Sequence, residues 1–142
     1  MMRVLIATSN PGKLREIQAV MADVPVTWCS LGDFPTIPEA VEDGTTFAKN
    51  AQKKALHYAG HAGGWALADD SGLEVDALGG APGVISARYS EAGTDAGNNR
   101  KLIENLRGVP DDLRTARFVC ELALAEPDRV LATARGVIEG RI

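Results

Sequence analysis

The sequence predicts an α/β protein built on a mixed β-sheet, and three observations predict it. Short continuous apolar runs, residues 4–7 and 66–68 among them, read as buried strands. Between them, apolar residues recur at helical spacing. Near the end, residues 116–124 and 129–137 form two strand-like runs separated by Glu126-Pro127-Asp128, which is hairpin chemistry. Strand and helix alternate early and a hairpin comes late, so the sheet combines both pairing senses.

Residues 4–7 give the first strand, and Thr8-Ser9-Asn10-Pro11-Gly12 turns the chain. Leu14, Ile17, Val20 and Met21 then share one face of a helix over residues 13–22. Residues 24–29 read as a second strand. Residues 31–44 carry Pro35, Pro38 and several acids and read as loop. Phe47, Ala51, Ala55 and Tyr58 or Ala59 line one face of a second helix, with Thr45 as N-cap and Gly60 with Gly63-Gly64 as its end. Residues 66–68 form a third strand that runs into Asp69-Asp70, and residues 73–75 a short further one. Residues 96–106 are helical, with Leu102, Ile103 and Leu106 buried.

The bulk numbers bound the rest. The chain has 142 residues, which fits a single domain over 1–142. Apolar content of 45% and charged content of 24% are those of an ordinary globular protein. Few aromatics and a net charge of −4 argue against a nucleic-acid polymer as partner, though not against a small polyanion held by local cations and a divalent metal. Residues 1–8 are too short an apolar run for a signal peptide, and no run is long enough to span a membrane. Cys29 and Cys120 lie far apart in apolar runs, which favours buried free thiols over a disulfide. Together these place the protein in the cytoplasm.

The chemistry concentrates in three segments. Thr8-Ser9-Asn10-Pro11-Gly12-Lys13 joins a strand to a helix, where backbone N–H groups and the positive dipole end suit phosphate; the same segment also reads as a plain turn with an exposed lysine. It is no Walker A loop. Glu42-Asp43-Gly44-Thr45-Thr46 precedes a helix, so Glu42 is either a dipole partner or a magnesium ligand. Asp69-Asp70 sets two carboxylates side by side, which raises one pKa unless a metal or base neutralises them. In extended chain they point to opposite sides. Asp70, next to Ser71-Gly72 at the expected loop, is the one assigned to the site. His57 and His61 share a helical face but lack a third zinc ligand, and Arg114 and Arg117 read as surface charge.

Taken together, these segments resemble the inosine triphosphate pyrophosphatase family, the noncanonical purine nucleoside triphosphate pyrophosphatases. The resemblance runs through Thr8-Ser9-Asn10-Pro11-Gly12-Lys13 with Glu16, Glu42-Asp43-Gly44-Thr45-Thr46-Phe47, Asn50-Ala51 and Lys54-Ala55. It is strongest over residues 68–88, with Asp-Asp-Ser-Gly-Leu, Gly-Gly-Ala-Pro-Gly and Ser86-Ala87-Arg88-Tyr89, and persists in Asn98-Asn99-Arg100-Lys101-Leu102 and Ala116-Arg117-Phe118. It implies an elongated mixed sheet flanked by helices, with two lobes around a nucleotide cleft. It implies magnesium-dependent hydrolysis of deaminated purine nucleoside triphosphates (ITP, dITP, XTP) to the monophosphate and pyrophosphate, which cleanses the nucleotide pool, and a homodimer. By position, Thr8, Ser9, Asn10, Pro11, Gly12, Lys13, Lys54 and Ser71 bind substrate. Glu42 and Asp70 hold Mg2+, and Asp70 is also the proton acceptor.

Departures from the resemblance shape further expectations. Lys49 stands where most of the family has Glu, and Ile85 where an aromatic is common. The family continues past Ile142 into the motifs that hold base and ribose, so residues 1–142 read as a domain incomplete at its C-terminus. Such a chain is expected to bind a triphosphate weakly, with little preference for ITP, and to turn it over very slowly or not at all. The rival readings are a Maf-type nucleotide pyrophosphatase and a non-catalytic nucleotide-binding or dimer-forming remnant. The Asp-Asp-Ser-Gly-Leu and Gly-Gly-Ala-Pro-Gly runs speak against the first; the missing C-terminal motifs speak for the second.

Overall fold

Apolar strands and three helices build one five-stranded sheet in the computed structural model, which describes residues 1–142. In chain order the elements are β1 (Arg3–Ile6), α1 (Pro11–Val20), β2 (Thr27–Ser30), α2 (Phe47–Ala62), β3 (Trp65–Val75), α3 (Asp95–Asn105), β4 (Thr115–Glu126) and β5 (Arg129–Arg141). The strand order is β2-β1-β3-β4-β5. β1 runs parallel to β2 and β3, whereas β3, β4 and β5 are antiparallel to one another in sequence. The sheet is mixed as expected, and it is open.

The two early crossovers send their helices to opposite faces. α2 packs Ala51, Ala55, Tyr58 and Ala59 against Leu5, Ala7, Ala66, Ala68, Ala123 and Ala125. The alanines on both sides let helix and sheet approach closely. α1 lies over the other face, where a cleft of about 350 Å³ is lined by Ile17, Val20, Met21, Leu67 and Leu122. Farther along that face, Leu102 of α3 and Leu106 at its C-cap pack on Val75 and Ala116. Strand order reverses at β1, with β2 on one side and β3 on the other. In open α/β sheets such a switch point opens a crevice at the carboxyl ends of the strands.

Several boundaries differ from the sequence reading. α1 begins at Pro11 rather than residue 13, because Asn10 caps it: its Oδ1 accepts from the N–H groups of Gly12 at 2.9 Å and Lys13 at 3.2 Å. Thr46, not Thr45, caps α2 by accepting from the Lys49 N–H at 3.1 Å. Gly60 lies inside α2, which ends at Gly63 in the left-handed region, φ 70°. The second strand begins at Thr27, not at residue 24. β3 is continuous from Trp65 to Val75, so Asp69-Asp70-Ser71-Gly72 is strand and not loop. Its ten-residue register with β4, from Ala66↔Ala125 to Val75↔Ala116, overrides the turn-like composition.

Other expectations resolve into specific contacts. Arg117 is no loose surface charge: it joins Glu74 (3.7 Å), Asp76 (3.0 Å) and Glu139 (3.0 Å), tying β3, β4 and β5. Arg114 donates to the carbonyls of Val109 and Leu106. Ring nitrogens of His57 and His61 lie against the carbonyls of Pro38 and His57. Cys29 is buried and Cys120 half-buried, both as free thiols. No helix is long and apolar enough to cross a membrane. Ile103 is 55% exposed; Leu102 and Leu106 carry the buried face of α3 without it.

Candidate active site

The residues that the sequence singled out lie around the end of β1, on both faces of the adjoining stretch of β3. β1 stays paired with β3 only as far as Leu67, where the Ala7 N–H donates to the Leu67 carbonyl at 2.8 Å. Beyond that point β3 runs on alone on its β1 side, and the loop Thr8-Ser9-Asn10 turns away from it. Asn10 uses its Oδ1 on the α1 N-terminus, and its own N–H donates to Thr8 Oγ1 at 3.1 Å. The N–H groups of Gly12 and Lys13, and that of Leu14 to the Asn10 carbonyl, are therefore spent inside the turn. This corrects the expectation of free backbone donors. The donors left for a ligand are the Ser9 N–H, the Thr8 and Ser9 hydroxyls, the Asn10 amide and the Lys13 ammonium; Pro11 supplies none and shapes the helix start.

The strand alternation divides the rest between two faces. On the α1 face, Lys13 Nζ lies 2.7 Å from Asp69 Oδ2 and 3.0 Å from Ser71 Oγ. Asp69 is 3% exposed, and its Oδ1 is buried without a partner. On the α2 face stand Asp70, Glu42, Lys54 and Asn50. Lys54 Nζ lies 3.2 Å from Glu42 Oε1 and donates to the Asp69 carbonyl at 2.9 Å. The sequence expectation that adjacent carboxylates face opposite ways holds. Asp69 is, however, the partner of Lys13, and Ser71 stands on its side and not on that of Asp70.

Asp70 is tuned by its surroundings. Burial raises its carboxyl above the ordinary value; Asn50 beside it lowers it, Glu42 raises it, Lys54 lowers it and Asp69 raises it, and the net direction is upward. Its Oδ2 is buried without a partner. No three His, Cys, Asp or Glu residues group tightly enough to hold a metal by themselves. Mg2+ needs only one or two carboxylates, with water and substrate phosphates completing its shell, and Asp70 has an unpartnered oxygen. Asp70 and Glu42 are the residues that would hold it. Asn50, part of the family resemblance, holds the neighbouring loop in place. It is 1% exposed, accepts from the Gly44 N–H at 2.7 Å and so fixes the loop that carries Glu42. A Cβ at Gly44 would sit 2.6 Å from Asn50 Oδ1, so the loop passes there only as glycine. A buried Asn within an otherwise Ala-rich helical face was the signal available.

Known proteins resemble this chain over its whole length. A profile of the Ham1 family matches residues 4–142. A protein of Desulforamulus reducens named dITP/XTP pyrophosphatase is 52% identical over 142 residues, covering 99% of this chain and 71% of that protein. A dITP/XTP pyrophosphatase of Geobacter sulfurreducens is 52% identical over 143 residues, covering 100% and 72%. Among solved structures, a HAM1 protein from Coxiella burnetii superposes with a TM-score of 0.90 at 40% identity, over 100% of this chain and 73% of the other. A nucleoside-triphosphatase / dITP/XTP pyrophosphatase from Mycobacterium abscessus gives 0.87 at 42% identity, over 99% and 74%. With a family profile spanning nearly every residue and relatives at half identity, the chain belongs to the Ham1 family.

Proposed function

We propose that this protein hydrolyses deaminated purine nucleoside triphosphates, ITP, dITP and XTP, to the monophosphate and pyrophosphate, with Mg2+. The observation that carries the reading is the meeting of two lysines from opposite sheet faces at one strand residue, beside a buried carboxylate with an unpartnered oxygen. The names of the relatives, dITP/XTP pyrophosphatase, support the substrate class.

In this reading the triphosphate lies across the crevice, with Lys13, Lys54 and the donors of Thr8, Ser9, Asn10 and Ser71 on its phosphates. The Asp70 carboxylate takes a proton from water as the water oxygen bonds to the α-phosphorus. The bond from that phosphorus to the bridging oxygen breaks, and pyrophosphate leaves with charge that the lysines neutralise. Bound Mg2+, held by Asp70 and Glu42, supplies further charge neutralisation and lowers the pKa of water. Without metal, burial holds the Asp70 carboxyl above its ordinary range, so the site gains from a cation beside it. Magnesium-dependent release of pyrophosphate, not orthophosphate, from ITP or XTP is the expected result. Orthophosphate as product, or release indifferent to magnesium, overturns the reading.

The same reading includes a cytoplasmic homodimer that pairs through residues 77–89. Ile85 is 37% exposed on the 3₁₀ segment Gly83–Arg88, which is held rigid from behind. Asn98 Nδ2 donates to the carbonyls of Ser86 and Ala87, both at 3.1 Å. An exposed apolar side chain on a rigid segment suits an association surface. Ile85→Glu is expected to shift the protein from dimer to monomer in sedimentation and to leave a melting temperature that no longer rises with protein concentration. A wild-type chain that sediments only as monomer sinks the dimer.

A further inference from the structure

The residue that joins the two faces is Asp69, and nothing in the reading above needs its side chain. Both of its polar groups hold a lysine. Its carboxylate bonds Lys13 from α1, with Ser71 Oγ as the second acceptor on the same ammonium. Its carbonyl accepts from Lys54 of α2 at 2.9 Å. The second bond follows from the sheet. The Leu67 carbonyl points toward β1 and takes the last ladder bond, from the Ala7 N–H. The Asp69 carbonyl, two residues on, points the same way but lies past the end of β1, and the Lys54 ammonium fills the place of the missing strand.

The side-chain bond is a poor device for stability alone. The Asp69 side chain is 4% exposed and Oδ1 has no partner, so a buried charge is only half satisfied. Only the carboxylate is buried, and its desolvation cost offsets much of what the pairing with the part-exposed Lys13 contributes. What it does achieve is placement. An ammonium has three donors, two of them taken here, and Lys13 keeps 36% exposure at the crevice.

We propose that Asp69 is a positioning residue: its buried carboxylate fixes the Lys13 ammonium on one side of β3 while its carbonyl fixes Lys54 on the other, so that both cations grip one triphosphate. The proposal rests on the phosphate-binding role given to the two lysines. It separates the neighbouring carboxylates by task, Asp69 placing cations and Asp70 taking the proton.

The test is a double-mutant cycle on the 142-residue chain with Asp69→Asn, Lys13→Met and both. The probe is an ITP analogue with a methylene between its α- and β-phosphates, titrated calorimetrically with Mg2+. Asn keeps the shape and the backbone carbonyl, so Lys54 stays in place and only Lys13 loses its charged partner. Lys13→Met is expected to weaken binding about tenfold or more, and Asp69→Asn by a comparable factor. The double variant should be no weaker than Lys13→Met alone. Losses that multiply, or an Asp69→Asn chain that binds as well as or better than wild type, overturn the proposal. If Lys13→Met itself costs nothing, the phosphate role of Lys13 falls with it; if only Asp69→Asn costs nothing, the phosphate role stands. A readout on wild type alone covers an Asp69→Asn chain that fails to fold. The Lys13 ammonium should give a slowly exchanging nitrogen-bound proton signal in NMR that persists when the analogue binds. Its absence, or its loss on binding, also overturns the proposal.

Discussion

Asp70→Asn should lower turnover of ITP by roughly 10²–10⁴-fold, the contribution of a positioned general base, and at the same time make the protein more stable. The two effects have one cause. Burial is the largest influence on the Asp70 carboxyl and pushes its pKa up, and one oxygen is buried with no partner. An acid whose folded pKa lies above its unfolded value holds more protons in the native state across the window between the two. Wild-type stability therefore falls as pH rises through that window and stays lower above it. Asn carries no charge to desolvate, so Asp70→Asn should remove that slope and melt higher than wild type at neutral pH. The gain should be of the order of 1 kcal/mol, the usual scale of a destabilised functional residue. The slope belongs to the metal-free protein, and Mg2+ on Asp70 should flatten it, because a bound cation favours the carboxylate. Melting curves and ITP turnover from acid to neutral pH check both halves. Full turnover by Asp70→Asn would remove Asp70 from the chemistry. A variant less stable than wild type at every pH would mean that the carboxylate is held by attraction rather than strained by burial.

The sequence made the fold class legible because its signals were local. The apolar run before Thr8, the alanine-rich face of α2 and the Glu126-Pro127-Asp128 turn each specify their own element. The sequence named residues that the fold brings near one stretch of β3: Lys13 and Ser71 beside Asp69, Glu42 and Lys54 with Asp70. Their division between two faces was not legible. It depends on β3 running straight through Asp69-Asp70-Ser71-Gly72, a stretch that reads as a turn and is held extended by β4. Nor could the Lys13–Asp69 pair be read, because it links positions 56 apart through strand order. Asn10 offers the reverse lesson. Its place before Pro11 is visible as an N-cap signature, and recognising it would have shown where the backbone donors of the turn go.

Gly72→Ala should cost stability by roughly 1–3 kcal/mol, the range for overpacking, and should disturb the site as well. Gly72 is buried in β3 on the face of Asp70, two residues away along the strand. A Cβ there would lie 2.5 Å from Ser86 Oγ, 2.7 Å from the Gly83 carbonyl oxygen and 2.9 Å from Phe47 Cε1. All three must give way together, and none gives way cheaply. Ser86 Oγ donates to the Gly83 carbonyl at 2.6 Å and accepts from the Leu73 N–H at 2.9 Å, which clamps the 3₁₀ segment to β3. Phe47 is buried at the start of α2, the helix that carries Asn50 and Lys54. A methyl group at Gly72 thus pushes apart the strand of Asp70 and the helix of Lys54. Urea unfolding measures the cost, and hydrogen exchange at Leu73 reports the clamp. Ser86→Ala in the Gly72→Ala background separates the causes. It removes the nearest clash but also the Leu73 partner, so it should recover only part of the lost stability. A Gly72→Ala chain as stable as wild type, with Leu73 equally protected, would show that β3 and the 3₁₀ segment are not in this contact in solution.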